Sequence, residues 1–277
     1  PTSTLNNLLK SITDGLGNTT NVSYKAMTDD AVHTRGNTNT YPLVSFTASW
    51  KLVDKITQSN GRGGVWTRIY QYKNALIHKR GRGVLGFAEF TINDVDRNTK
   101  TIYTNEVETT QYASALKRVD VQCNNKLIAR TEYTNSLKNY QSRVFTYGTT
   151  LTTERKYDYN SSQEYSTIVM RNVFDNYGNV LRNVTRYNST DSVVNVNTYD
   201  NNETKWFLGR LRTAQVTKYK NGESLTKTSE FIYDANNGLL VEETIEPNDM
   251  MIGFTRKYEH DKYGNIQKSY QYDNGKK

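Results

Sequence analysis

Apolar and polar side chains alternate only partly along this chain, and no segment keeps the 3.6-residue apolar period of an amphipathic helix. The segment IVMRNVF is typical, because each of its two sets of alternating positions mixes apolar and polar side chains. One set is Ile168, Met170, Asn172 and Phe174, and the other is Val169, Arg171 and Val173. A sheet packed on one face alternates cleanly instead. The pattern therefore predicts strands wetted on both faces, in a curved sheet around a space that this chain does not fill.

Turn signals rich in Gly, Asn and Asp recur about every 8–14 residues, which is typical of an antiparallel all-β chain. Two hairpins are predicted most clearly: AEFTI and KTIYTNEV around NDVDRNT, and LKRVDVQCNNKLIARTEYTN with Asn124 and Asn125 at its tip. NGRGG, Asn60 to Gly64, predicts another turn. Residues 28–39 are predicted as a long loop, residues 41–56 as extended chain, and residues 1–13 as a short helix or strand.

One turn motif recurs, most clearly in FDNYGNV, where Phe174 and Asp175 are followed by Gly178 and Asn179. The aromatic ring suits a pleated surface, the Asp side chain accepts hydrogen bonds from backbone N–H groups two residues on, and Gly or Asn tolerates a positive φ. The motif therefore predicts a strand, a turn and a second strand. Looser copies carry the same elements: Tyr258, Gly264 and Asn265; Tyr233, Asp234 and Gly238; and the Tyr-Asp pairs that begin at Tyr157, Tyr199 and Tyr272.

The spacing of these aromatic–acid pairs is irregular, whereas a blade-by-blade propeller needs a fixed period. We therefore expect a long antiparallel meander of hairpins that forms a curved or spiralling sheet, as a single repeat segment over residues 1–277. Because the chain begins at Pro1 rather than Met, we expect it to be a fragment of a larger protein.

Composition favours ordered strands with a thin core. Hydrophobic residues make up 35% of the chain and the mean hydropathy is −0.80, yet aromatic residues reach 12%, which is unlike a disordered chain. The net charge of +8 is scattered along the strands, as on solvated faces. The single cysteine, Cys123, excludes an internal disulfide, and no apolar run approaches the length of a membrane span.

Candidate binding motifs have simpler structural explanations. GRGVLGF, with Gly81, Gly83 and Gly86, resembles a phosphate-binding loop, but a strand-like AEFTI follows it where a helix is needed, so a backbone bend is favoured. The basic cluster Lys79, Arg80 and Arg82 favours a solvated hairpin over a nucleic-acid site.

DVDRN spaces its oxygens as a calcium loop does, but Thr99 stands where Gly is needed and Asn105 where Glu is needed, which favours a polar turn. Metal-ligand spacing is missing among His33, His78, His260 and Cys123, and no catalytic constellation is recognisable, so we expect no catalytic residue, cofactor or metal. The large aromatics Trp50, Trp66 and Trp206 are either sugar-stacking platforms or packing residues.

Several motifs together resemble the RHS/YD-repeat family, closest to the toxin-complex B-type (SpvB-like) RHS shell proteins. They are the Y/F-D-x-x-G-N-x units, ITDGLGNTT at Ile12 to Thr20, GRGVLGF ending at Phe87, and WFLGRLRTAQVTK, which contains Trp206, Gly209 and Arg210. The resemblance implies a β-sheet that spirals into a hollow shell around a toxin or another variable domain, and a secreted or cell-surface location; teneurins use a similar shell for adhesion. The family's DPxG-type boundary has no match here, so neither cleavage nor toxicity is assigned.

The sequence therefore predicts a non-enzymatic shell segment that encloses, shields or displays a toxin or another polypeptide cargo. The alternative is a cell-surface recognition or adhesion module that binds a glycan or a protein through Tyr- and Trp-rich strands. The expected partners are the cargo or the remaining shell, with no small-molecule substrate, and binding of nucleic acid is the weakest hypothesis. Exposed sheet edges also predict self-association.

Overall fold

The computed structural model describes residues 7–141 and 144–273, and all regular structure in these ranges is β-strand. No helix within them is long and apolar enough to cross a membrane. The strands belong to one 20-stranded sheet. Their bounds are β1 (Ser11–Thr13), β2 (Thr19–Ala26), β3 (His33–Thr34), β4 (Asn39–Thr40), β5 (Leu43–Ser45), β6 (Lys51–Ser59), β7 (Val65–His78), β8 (Gly83–Asp94), β9 (Thr99–Glu108), β10 (Ala113–Cys123), β11 (Lys126–Gln141), β12 (Val144–Tyr157), β13 (Glu164–Phe174), β14 (Val180–Arg186), β15 (Ser192–Asn202), β16 (Phe207–Lys220), β17 (Glu223–Tyr233), β18 (Leu240–Ile245), β19 (Phe254–His260) and β20 (Ile266–Asp273).

The predicted all-β antiparallel fold is confirmed. Each strand pairs antiparallel with the next in sequence from β6 to β11 and again from β13 to β20. Both predicted hairpins form, with Asn124 and Asn125 at φ 47° and 63° in the tight turn between β10 and β11. This open sheet is consistent with the wall of an RHS-type shell.

The first strands depart from a simple meander. β2 pairs with β6 rather than with its neighbour β3, and β3 lies parallel to β7. The predicted loop over residues 28–39 therefore contains β3 and the first residue of β4, because Val32 and His33 enter the core. The predicted extended chain over residues 41–56 is interrupted between β5 and β6, where the Phe46 and Trp50 rings meet edge-on at 5.4 Å. Strand β1 falls in the N-terminal segment, of which residues 1–6 lie outside the described ranges.

The chain divides into two compact units, the first made of Pro1–Asn135 and Thr153–Ser166, the second of Ser136–Thr152 and Thr167–Lys277. The core of the first unit is small. Its fully or nearly fully buried apolar side chains are Met27, Val32, Ala75 and Leu76. His33 lies beside them, with Nδ1 3.0 Å from the Met27 carbonyl oxygen.

The second unit is held by polar contacts between strands. Val184 is its one buried apolar side chain in the described ranges. Asn183 donates to Asn172 at 2.8 Å, and Asn195 donates to Asn183 at 3.2 Å, so an amide ladder crosses β13, β14 and β15. Threonine pairs bridge neighbouring strands in the same way: Thr198 with Thr213, Thr217 with Thr226, and Thr244 with Thr255. Cross-strand pairs of this kind stabilise a sheet that has little dry core.

Candidate binding site among the repeat turns

The turn after Phe174 is closed by a single carboxylate. Oδ1 of Asp175 accepts hydrogen bonds from the backbone N–H groups of Tyr177 and Asn179, both at 2.8 Å, and Oδ2 accepts the Asn179 side-chain amide at 2.9 Å. Gly178 supplies the positive φ of 87° that the turn needs. Burial raises the pKa of the Asp175 carboxyl, but the hydrogen bonds from Asn179 and Tyr177 outweigh burial and leave this pKa below its usual value.

The same five-residue unit, Asp-x-x-Gly-Asn, recurs with the same hydrogen bonds at Asp14 and at Asp261. Asn60 replaces the Asp in NGRGG, where its Oδ1 accepts the N–H groups of Arg62 and Gly64. The acid of the copy near Tyr258 is therefore Asp261. Glu259 lies within β19, where its carboxylate accepts the Tyr270 hydroxyl.

The looser copies divide into turns and strands. Asp234 closes a turn one residue longer, in which its Oδ1 accepts the N–H groups of Asn236 and Asn237, and Asp158 closes a similar turn. Asp200 does not close a turn. It lies inside β15, where the opposing Arg210 donates to it at 2.7 Å, and the turn of this unit follows at residues 203–206, between β15 and β16. The last pair ends β20 at Asp273, and the residues after it lie outside the described ranges.

In the second unit each repeat turn rests on the hairpin next to it, at glycines. A Cβ atom at Gly209 would lie 2.8 Å from Oδ1 of Asn179, and one at Gly178 would lie 3.1 Å from the Thr146 methyl group. A Cβ atom at Gly238 would lie 3.2 Å from the Phe207 ring, and one at Gly264 would lie 3.7 Å from the Leu239 methyl groups. The backbone N–H of Gly209 also donates to Asn201 at 2.7 Å. The glycines therefore permit a close approach between each turn and the neighbouring hairpin as well as positive φ.

Arg210 is clamped beside this stack. Its guanidinium lies 4.9 Å from the Phe207 ring centre and 5.3 Å from that of Tyr233, and its side chain is only 12% exposed. Asp200 provides its ion pair at 2.7 Å. Burial raises the pKa of the Tyr233 hydroxyl. The motif residues Tyr233 and Arg210 thus join the paired strands β16 and β17 through a cation–π contact.

A pocket of about 440 Å³ opens in the second unit beside the Asp175 turn. The Tyr140 and Tyr177 rings lie 5.2 Å apart in it, and both hydroxyl groups donate to Oε1 of Glu203, that of Tyr140 at 2.9 Å. Trp206 borders the pocket with 74% of its surface exposed and a φ of 57°. The remaining lining residues are Val144, Phe145, Thr146, Asn176, Asn179, Leu208 and Gly209.

The carboxylate of this pocket stays charged at neutral pH. The hydrogen bonds from Tyr177 and then Tyr140 hold the pKa of Glu203 below its usual value. The hydrogen bond to Glu203 raises the pKa of Tyr177 for the same reason, since a phenolate there would face a carboxylate. The pocket therefore combines aromatic walls with a fixed negative charge.

The first unit uses its motif residues for structure. Gly81, Gly83 and Gly86 have φ values of 102°, 76° and 98°, and the register between β7 and β8 shifts beside Gly86. Phe87 packs at 4.8 Å from the Tyr72 ring and 5.9 Å from the His33 ring. GRGVLGF therefore forms a hairpin turn and a bulged strand start.

The other sequence candidates serve turns as well. The backbone N–H of Arg82 donates to His78, which places the basic cluster on a hairpin. Asp94 and Asp96 accept backbone N–H groups from Arg97 and Thr67. Within residues 7–141 and 144–273, no group of three His, Cys, Asp or Glu side chains lies in a position to hold a metal ion.

These features define an all-β protein in which turns closed by carboxylates pack closely against neighbouring hairpins. Residues 3–118 match the family model described as "Insecticide toxin TcdB middle/N-terminal region". With this match, the resemblance of the chain to the toxin-complex B-type RHS shell proteins is confirmed.

Comparison with solved structures agrees on the fold. The structure titled "Crystal Structure of TcdB2-TccC3-TEV" superposes on 92% of this chain with a TM-score of 0.55 at 12% identity, and the chain spans 18% of that structure's length. A porin-like protein from Bacteroides uniformis aligns with 79% of this chain and 91% of its own length at 9% identity. Its TM-score of 0.29 is too low to indicate a shared fold. No curated protein matches the chain.

Sequence reasoning missed the residues that build the pocket. Trp206 was singled out as a possible stacking platform, but Tyr140, Tyr177 and Glu203 were not. Tyr177 occupies the third position of the Asp-x-x-Gly-Asn unit, and Tyr263 occupies the same position in a second copy. That repeated aromatic position was the available signal, whereas nothing in the sequence indicates that Glu203 faces it.

Proposed function

We propose that the chain is a section of shell wall in a secreted toxin-complex protein, where it encloses a polypeptide cargo without catalysing a reaction. The observation that carries the proposal is the thin core of each unit, because strands joined by amide and threonine ladders leave both sheet faces wetted. A wetted inner face surrounds an unfolded chain without offering it a tight apolar interface. The likeness to TcdB2, whose structure contains TccC3, supports a second polypeptide as the partner.

Adjacent residues of one strand test the enclosure directly, because they point to opposite faces of the sheet. Thr226 and Lys227 are exposed neighbours in the middle of β17. We would make Thr226→Cys and Lys227→Cys singly in a Cys123→Ser background and measure their reaction with a large polyethylene-glycol maleimide. In the isolated chain both cysteines should react at similar rates. In the assembled, cargo-loaded protein, one of the two should be protected by about tenfold or more. Equal rates in the assembled protein would contradict enclosure.

A recognition module is the second candidate, and the exposed Trp206 at the rim of the pocket favours it. Trp66 is a poorer platform because the Arg97 guanidinium already lies 5.7 Å from its ring centre. Saturable glycan binding that Trp206→Ala abolishes and Trp66→Ala leaves intact would support this function over the shell.

A further inference from the structure

We propose that the pocket beside the Asp175 turn binds the cationic side chain, lysine or arginine, of an extended polypeptide. Aromatic faces and a carboxylate within one pocket attract a cation through the ring quadrupoles and the fixed charge together. Here Tyr140, Tyr177 and Trp206 provide the rings, and Glu203 provides the charge.

Among the described residues that line the pocket, Glu203 is the only charged one. Its Oε1 atom accepts both tyrosine hydroxyls, and no Lys, Arg or His nitrogen of the described ranges lies within 4 Å of its carboxylate. An ionised carboxylate beside aromatic rings, without a cation of its own, leaves a complementary charge to be supplied by a ligand.

Other aromatic rings of this chain already carry a cation. Arg210 lies against Phe207 and Tyr233, Arg97 against Trp66, Lys126 against Tyr159, Arg256 against Phe254, and Lys262 against Tyr263. Across residues 7–141 and 144–273 no such contact is found for Tyr140, Tyr177 or Trp206. The pocket thus has aromatic rings like those of the cation–π pairs elsewhere in this chain, but none of the described residues places a cation against them.

The polar groups of the pocket disfavour a sugar. Both tyrosine hydroxyls donate to Glu203, and the side-chain amide of Asn179 donates to Asp175. These tyrosine and amide donors are therefore already engaged, and what the Glu203 carboxylate still offers is acceptor capacity, which a cationic side chain uses fully because it only donates.

The size of the pocket favours a side chain on a polypeptide over a free amine. Its volume of about 440 Å³ is within the usual range of ligand sites and exceeds what one alkylammonium or guanidinium group fills. The backbone and neighbouring residues of an extended segment account for the remainder. The inference rests on the proposed function only in taking the polypeptide to be the enclosed cargo.

The test follows the fluorescence of Trp206 in the full chain carrying Trp50→Phe and Trp66→Phe. The probe is the blocked tripeptide acetyl-Gly-Arg-Gly-amide, and its matched control has citrulline, which keeps the shape and lacks the charge. We expect saturable binding of the arginine peptide, with affinity at least about tenfold weaker for the citrulline peptide and for Glu203→Gln. Glu223→Gln, which removes an exposed carboxylate on β17, should leave the affinity unchanged.

Calorimetry with the unsubstituted chain repeats the titration in case the tryptophan variants do not fold. Equal binding of both peptides, insensitivity to Glu203→Gln in a folded variant, or no binding of the arginine peptide would overturn the proposal. A response to maltose or N-acetylglucosamine without a response to the peptide would assign the pocket to glycans. A free peptide can bind the pocket whether or not the sheet closes around a cargo. The peptide titration can therefore refute the pocket proposal without affecting the enclosure proposal, and the cysteine labelling can refute enclosure without affecting the pocket proposal.

Discussion

A Cβ atom placed on Gly209 would lie 2.8 Å from Oδ1 of Asn179, so the backbone of one hairpin rests directly on the turn of the preceding repeat. Gly209 also has a φ of 73°, which disfavours any side chain. We therefore expect Gly209→Ala to destabilise the second unit by about 2–4 kcal/mol, of which about 1–2 kcal/mol comes from the backbone conformation alone. Denaturant unfolding followed by circular dichroism measures the loss.

Gly222 provides the matched control, because it has a φ of 87° and no atom within 4 Å of an added Cβ. Gly222→Ala should cost only the backbone contribution of about 1–2 kcal/mol. The difference between the two variants isolates the contact between hairpins. Equal losses would mean that the stacking of turns contributes nothing to stability.

Acid should weaken the repeat turns. Hydrogen bonds from Asn18 and Asn265, donated chiefly by their side chains, lower the pKa of Asp14 and of Asp261, and the pKa of Asp175 is also lowered, although burial opposes the shift. A carboxyl whose folded-state pKa is depressed contributes stability above its unfolded pKa, here 3.8, and loses it as the pH falls through the folded value. The thermal midpoint should therefore hold near pH 5 and fall progressively below about pH 3.8.

Asp175→Asn separates this effect from general acid unfolding. Asparagine keeps the Oδ1 acceptor, as Asn60 does in its own turn, but replaces the Oδ2 atom that accepts the Asn179 amide. We expect a loss of about 1–2 kcal/mol at pH 7 and a shallower fall in acid than that of the natural chain. A variant as stable as the natural chain at pH 7, with the same acid profile, would show that the Asp175 carboxylate does not hold the turn.

The fold could be predicted from residues close together in the sequence, whereas the pocket could not. The Asp-x-x-Gly-Asn turns are determined by residues within five positions of one another, so Asp175 and Gly178 were readable from sequence alone. Tyr199 and Asp200 imitate that signal, but no Gly follows at the required spacing, and the pairing of Asp200 with Arg210 across the hairpin keeps the segment in a strand. Glu203 meets Tyr140 only through the register of strands distant in sequence, which no local pattern encodes.

The clamp around Arg210 gives the sharpest test of the aromatic part of the repeat. A planar guanidinium stacks on two rings and reaches Asp200 at once, whereas an ammonium group is a compact, strongly hydrated charge. Arg210→Lys should therefore cost about 1–2 kcal/mol in unfolding free energy although the charge is conserved. Arg212→Lys, two residues along the same strand and exposed, should cost less than about 0.5 kcal/mol.

The variant Tyr233→Leu completes this comparison, because it removes one ring face and keeps an apolar side chain. If Phe207 and Tyr233 hold Arg210 through their π faces, the losses from Arg210→Lys and Tyr233→Leu should be strongly non-additive in the double variant. Strict additivity would mean that Arg210 acts through its ion pair with Asp200 alone. The aromatic residue before each repeat turn would then be a packing residue, and the coupling between neighbouring hairpins would reside in the glycine contacts.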